Sequence, residues 1–245
     1  MNALELQSVT KSFSGLRVIS DLSLTVKAGE RRLIIGPNGA GKTTLFNLIT
    51  GEYRADGGSI RLLGKDVTRV AGRRRAHLGL ARTYQIITLF PDDSLRDNVA
   101  LALLGLSALR WNPLSRLDRQ ERLMQEASEV LATVGLDGTA DKPLRETAYG
   151  EQRRVEIAMA LAQKPRMLLL DEPFAGLSTH ERADIATLLA SIPREVTIIM
   201  IEHDMDVALE FAEQITVIHF GEVVVEGERA DVVADARTRE IYLGE

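Results

Sequence analysis

Leu33-Ile34-Ile35 runs into Gly36-Pro37-Asn38-Gly39-Ala40-Gly41-Lys42-Thr43 and on through Thr44–Ile49 to Gly51. The apolar triplet reads as a buried strand, the glycine-rich stretch as a loop, and Thr44–Ile49 as a helix that Gly51 ends. The loop fits the pattern Gly, four residues, Gly-Lys-Thr. Glycines let the backbone approach a polyphosphate and aim successive N–H groups at its oxygens, and the helix N-terminus adds partial positive charge there. Gly36 through Thr44 are therefore the candidate nucleotide-binding residues. Lys42 is placed to reach the β- and γ-phosphates, and the Thr43 hydroxyl to ligate Mg²⁺.

A phosphate loop needs an acidic partner, and Met167-Leu168-Leu169-Leu170-Asp171-Glu172 supplies one. An unbroken apolar run suits a strand buried on both faces, and ligands of open α/β sheets gather at strand carboxyl ends. Neighbouring strand residues face opposite ways, which predicts separate jobs for the two acids. Asp171 is expected in the Mg²⁺ shell, and Glu172 as the base that orients or deprotonates an attacking water.

Short strands punctuated by glycine fill the first ninety residues: Leu4–Val9, Leu22–Val26, Arg32–Ile35 and Ser59–Leu62. From Leu95 to Val134 apolar residues recur at helical spacing (Leu123, Ala127, Val130, Leu131, Val134). Strand texture returns at Leu168–Leu170, Thr197–Ile201, Ile215–His219 and Val223–Val225, with helical stretches at Glu181–Ser191 and Met205–Ala212. An α/β core (1–90 and 162–245) interrupted by a helical lobe (91–161) explains this order. Arg69–Arg75 reads as a solvated basic face, and Trp111-Asn112-Pro113 has no derivable role. With no Cys among 245 residues, disulfide scaffolds, thiolate zinc sites and Cys nucleophiles are excluded. The formal net charge of −5 argues against a dominant nucleic-acid footprint. Apolar runs are strand-sized rather than bilayer-sized. Met1–Ser8 lacks a basic stretch followed by an apolar core, so no signal peptide is expected.

Together these features resemble the ATP-binding subunit of an ABC transporter, from about Leu4 onward. Phe13 resembles the aromatic residue that stacks on adenine. Gln85, in Arg82-Thr83-Tyr84-Gln85, resembles the glutamine linking the Mg²⁺ site to the membrane subunit. Ala148-Tyr149-Gly150-Glu151-Gln152 resembles the family signature, followed by a helix over Arg153–Leu161. Ala175-Gly176-Leu177-Ser178 stands where the D-loop belongs, and His203, in Glu202-His203-Asp204, resembles the switch histidine. The signature departs from the common Leu-Ser-Gly-Gly-Gln: Ala148 removes the Ser hydroxyl that would touch the γ-phosphate, leaving Gly150 and a helix N-terminus with free N–H groups. Ser178 replaces the usual D-loop Asp. Tyr-Gly-Glu-Gln, the phrase Glu202-His203-Asp204-Met205 and the ending Arg239–Glu245 are similar to the branched-chain amino-acid uptake branch.

The resemblance implies a P-loop ATPase core with an antiparallel β subdomain on its N-terminal side and an inserted helical subdomain. It implies ATP and Mg²⁺ as ligands, with Glu172, His203 and Gln85 catalytic, Thr43, Gln85 and Asp171 around the metal, and Ala148 and Gly150 facing the partner's nucleotide. The implied partners are a second ATP-binding subunit (a copy or a paralogue), transmembrane permeases and a periplasmic or extracellular solute-binding protein, with no nucleic acid. The implied place is the cytoplasmic face of the membrane. Three alternatives stay open: an ABC ATPase of lipid or lipopolysaccharide export, a non-transport ABC protein acting on DNA or ribosomes, and a kinase or GTPase sharing only the loop.

Overall fold

The computed structural model describes residues 1–84, 89–107, 110, 116–202 and 209–243. In chain order the strands are β1 (Asn2–Phe13), β2 (Leu16–Lys27), β3 (Arg31–Ile35), β4 (Gly57–Leu62), β5 (Lys65–Asp66), β6 (Leu80–Arg82), β7 (Met167–Asp171), β8 (Thr197–Ile201), β9 (Gln214–His219) and β10 (Glu222–Glu228). The helices that bear on the site are α1 (Lys42–Thr50), α2 (Gly72–Ala76), α3 (Leu95–Leu106), α4 (Glu121–Thr133), α5 (Tyr149–Ala162) and α6 (Thr179–Ser191). An antiparallel sheet runs β2-β1-β4-β5. A second sheet, β10-β9-β3-β8-β7-β6, is parallel except for its β9–β10 pair.

All five positions of β3, β7 and β8 are buried. Successive side chains point to opposite faces, and each face meets its own core. Leu33, Ile35, Leu168, Leu170, Ile198 and Met200 pack with Val99 of α3, Leu131 of α4, Ile157 of α5 and Leu189 of α6. Ile34, Met167, Leu169, Ile199 and Ile201 pack with Leu45 and Phe46 of α1 and with Leu4, Leu6 and Ile60 of the antiparallel sheet. That double burial explains why these strands read as unbroken apolar runs. The architecture is the expected phosphate-loop α/β fold, with an antiparallel layer on the N-terminal side and α3 to α5 inserted between β6 and β7.

Register aligns the strand ends. Ile201 pairs with Ile34 on one side and with Asp171 on the other, so β3, β8 and β7 finish within one residue of each other. The phosphate loop and the Asp171-Glu172 pair therefore leave the same edge of the sheet. The helix expected over Arg153–Leu161 begins four residues earlier, at Tyr149, so the signature forms its first turn. Of the helix expected over Met205–Ala212, residues 205–208 lie outside the described residues, as does Trp111-Asn112-Pro113.

The basic cluster needs a correction. Arg75 is no solvated residue: it is 1% exposed. α2 lays its side chain beneath the end of α1, where Nη1 donates to the Leu48 and Ile49 carbonyls at 2.7 and 2.8 Å and Nε to Val70 at 2.8 Å. Those α1 carbonyls belong to the last turn, which has no intrahelical donors of its own. Burial lowers the Arg75 pKa to about 10, which leaves it charged at neutral pH. Arg75→Ala strands these acceptors and removes a packed stem, so it should destabilise the fold by about 2–4 kcal/mol. Arg73→Ala and Arg74→Ala, by contrast, should stay within about 0.5 kcal/mol. Urea denaturation of the three variants checks the contrast.

Candidate functional site

The loop between β3 and α1 is a built cradle. Gly36 crosses β9 so closely that an added Cβ would lie 2.1 Å from the Ile218 carbonyl oxygen. Gly39, at φ 80°, faces open space: a Cβ there would meet nothing within 4 Å. Gly41 is the N-cap of α1 and has no side chain to cap it, leaving the first turn to receive an anion. Lys42 is 6% exposed, and its Nζ folds back to donate to the Gly36 and Pro37 carbonyls at 2.6 and 3.0 Å. Burial lowers the Lys42 pKa, while Glu172 and Asp171 oppose that shift. Asn38 to Thr44, Val18 and Glu172 line one open cleft of about 290 Å³. The structure thus brings the loop and Glu172 together.

Asp171 and Glu172 diverge for a reason other than strand alternation. β7 ends at Asp171, and Glu172 sits beyond it with φ 49°, a left-handed conformation that is uncommon for a side-chain-bearing residue. Its N–H donates to Ile201 at 2.9 Å. Such strain persists where surroundings over-determine it, and here Arg153 does so. From α5 this 1%-exposed arginine donates to the carbonyls of Glu172, of Asp171 at 3.3 Å and of Pro173 at 3.2 Å. Nη1 also reaches the Tyr84 carbonyl at 2.9 Å and Glu156 at 2.5 Å. Burial raises the Glu156 pKa, and Arg153 works against that rise.

Asp171 is 2% exposed. Its Oδ2 accepts from Arg82 Nη2 at 2.8 Å, whereas Oδ1 is buried with no hydrogen-bond partner among the described residues. An orphaned anionic oxygen at a strand end beside a phosphate loop fits a hard divalent cation, which takes oxygen ligands. Arg82 is fixed in turn: Nη1 donates to Asn47 Oδ1 of α1 at 2.5 Å, and the guanidinium carbon lies 5.5 and 4.8 Å from the Phe46 and Tyr84 ring centres.

The remaining candidates are dispersed. Phe13, at the end of β1, is 38% exposed, and its ring meets Tyr53 edge-on at 5.2 Å rather than lining the cleft. Gln85 and His203 lie outside the described residues. Ala148 is the N-cap of α5, and only half a capping box forms there: the Ala148 N–H donates to Glu151 at 2.9 Å, with no hydroxyl to reciprocate. The N–H of Gly150, expected free, is engaged: it donates to Glu181 Oε1 at 3.1 Å. Ser178 caps α6 and closes a reciprocal capping box with Glu181.

Sequence reasoning missed Arg82, Arg153, Glu156 and Glu181. Helical spacing held a signal for one of them, because Arg153 stands four residues before Ile157 on the buried face of α5. Ser178-x-x-Glu181 also matches the capping-box pattern.

The ABC transporter family matches residues 19–175. The chain is 36% identical, over 99% of its length and 98% of that protein, to the high-affinity branched-chain amino acid transport ATP-binding protein BraF of Pseudomonas aeruginosa. It is 37% identical, over 99% of its length and 97% of that protein, to the lipopolysaccharide export system ATP-binding protein LptB of Acidithiobacillus ferridurans. Among solved structures, the ADP conformation of an ATP-binding cassette of an ABC transporter superposes with a TM-score of 0.88 at 30% identity, covering all of both chains. The chain belongs to the ABC transporter ATPases. This ABC ATPase is of the kind that binds ATP and ADP, and among its described residues no helix is long and apolar enough to cross a membrane.

Breaking a buried ion pair from one side costs about 3–5 kcal/mol. In this ABC ATPase, Arg82→Leu should lose that much by leaving Asp171 charged and alone. Adding Asp171→Asn should recover part of the loss. Urea melts of the two single variants and the double variant test this, and additive losses would show that the pair carries no coupling.

Proposed function

We propose that this ABC ATPase powers an importer of branched-chain or related amino acids. The observation that carries the solute reading is the near full-length match to BraF. The signature variant Tyr149-Gly150-Glu151-Gln152 supports it. A second reading, lipopolysaccharide export, rests on the equally long match to LptB.

In the proposed mechanism Lys42 leaves the Gly36 and Pro37 carbonyls and turns its ammonium onto the β- and γ-phosphates. The Thr43 hydroxyl and Asp171 Oδ1 would hold Mg²⁺, with Gln85 as a further ligand by its family position. When bound, Mg²⁺ supplies charge neutralisation on the phosphates. Glu172 takes a proton from the attacking water as the new O–P bond forms and the bond to the ADP oxygen breaks. The proton rests on the Glu172 carboxylate, ADP carries off the electron pair, and His203 takes the switch-histidine role by its family position. Phe13 serves as the adenine platform.

A second ATP-binding subunit, a copy or a paralogue, presents Ala148 and Gly150 to the same nucleotide. ATP thereby favours the closed pair, because only that state makes both sets of contacts. Residues 1–90 and 162–245 act as the core, and 91–161 as the lobe that passes the motion to permeases. On this reading the chain works at the cytoplasmic face of a membrane, in a system served by a solute-binding protein outside.

Lys42→Ala should weaken ATP binding about 10- to 100-fold, the worth of one to two hydrogen bonds from a charged group. Calorimetry with ATP reads this, and unchanged binding would refute the assignment. Glu172→Gln should keep ATP affinity while phosphate release falls about 100-fold or more. In cells, Glu172→Gln expressed in place of the native chain should abolish uptake of radiolabelled leucine. Normal uptake together with stalled delivery of lipopolysaccharide to the cell surface would favour the second reading.

A further inference from the structure

Gly150 of the signature and Ser178, a departure from the family pattern, meet at one carboxylate. Glu181 reaches from the first turn of α6 to the first turn of α5. Its Oε1 accepts the Gly150 N–H at 3.1 Å. Its Oε2 accepts the Ser178 N–H at 2.9 Å and the Ser178 hydroxyl at 2.6 Å. These bonds, those of Ser178 foremost, hold the Glu181 pKa below the usual carboxylate range, so the group is an anion at neutral pH. The fit is close: a Cβ on Gly150 would fall 2.5 Å from Glu181 Oε1. The neighbouring Tyr149 ring lies over Gly176, whose added Cβ would be 3.2 Å from Tyr149 Cε1.

We infer that Glu181 is a positioning residue that occupies the partner nucleotide's place on the signature until the γ-phosphate displaces it. The inference rests on the reading that two copies of this chain share ATP across their interface. A γ-phosphate arriving from the partner needs the Gly150 N–H and carries the same sign of charge as the group already there. One donor cannot serve both anions, and like charges brought into contact at an interface are strongly unfavourable. The two family departures sharpen the competition. Ala148 offers no hydroxyl as a second donor, so the phosphate depends on the contested N–H. Ser178 donates to Glu181, whereas an Asp there would repel it. Glu181 thus raises the ATP concentration at which the pair closes, without touching the chain's own phosphate loop.

The test uses the full chain carrying Glu172→Gln, which holds ATP uncleaved, and follows dimerisation by sedimentation across an ATP titration with Mg²⁺. Glu181→Gln keeps the side chain's size and an acceptor oxygen while removing the charge, and Glu181→Ala removes the contact. Both should lower the ATP concentration for half-dimerisation about tenfold. ATP affinity of the dilute, monomeric chain should stay within about twofold, since Glu181 lies outside the cleft residues. A purely structural role predicts the opposite, a weaker dimer and a lower melting temperature, and that result overturns the inference. If Glu181→Ala fails to fold, Glu181→Gln decides alone. A parent that dimerises while Glu181→Gln leaves its midpoint unmoved overturns this inference only. A parent that stays monomeric at saturating ATP overturns the copy-with-copy reading and the inference with it.

Discussion

Both faces of β3, β7 and β8 are withdrawn from water, so none of these strands can slip by one residue without sending its side chains into the wrong core. A slip in β7 would also draw Asp171 into the sheet interior. Register is therefore held by burial on both sides, and register sets the site. Ile34, Ile201 and Asp171 sit abreast, and the chain must turn immediately beyond them. The phosphate loop and the Asp171-Glu172 pair therefore emerge from one sheet edge.

Turning there exposes backbone that the strands would otherwise pair, and buried arginines complete the pairing. Arg153 takes the carbonyls of Asp171, Glu172 and Pro173, and at the far end of α1 Arg75 does the same for the last-turn carbonyls of that helix. Arg82 instead takes one oxygen of Asp171 and leaves the other bare. A planar guanidinium with several fixed donors serves several acceptors at once, which a lysine cannot do in the same plane. Because Arg153 belongs to α5, the helix that opens with the signature is bonded to the loop bearing Glu172.

The parts legible in the sequence were those whose signal is local. The loop at 36–43, the apolar run at 167–170 and the helical spacing at 123–134 each declare themselves within a dozen residues. Residues whose partners lie far along the chain did not. Arg82 and Asp171 are 89 positions apart, and nothing near Arg82 announces that it is buried. Arg75 was hidden differently: among Arg69, Arg73 and Arg74 it reads as one more surface charge, and only the packing of α2 under α1 turns it inward. The left-handed turn at Glu172 is imposed by Arg153 and the Ile201 carbonyl, and no glycine marks it. Ser178 looked like the loss of an Asp, because the family pattern drew attention from its plain role as a helix cap.

The signature helix is tied to the core at two separate points, and they differ in kind. Arg153 grips backbone carbonyls, neutral acceptors for which an incoming anion does not compete. Gly150 is held by a side-chain carboxylate on an exposed turn, an anion that another anion can replace. A link of the first kind transmits motion, and a link of the second kind selects between two arrangements, because the N–H always has a partner and only the partner's identity changes. Exchange of that sort avoids leaving a buried donor unsatisfied, which would cost about 1–3 kcal/mol. On the exchange inferred for Glu181, the Gly150 N–H keeps a partner in both arrangements. The grip of Arg153 on the Glu172 loop then ties the signature helix to the position of Glu172, the proposed base.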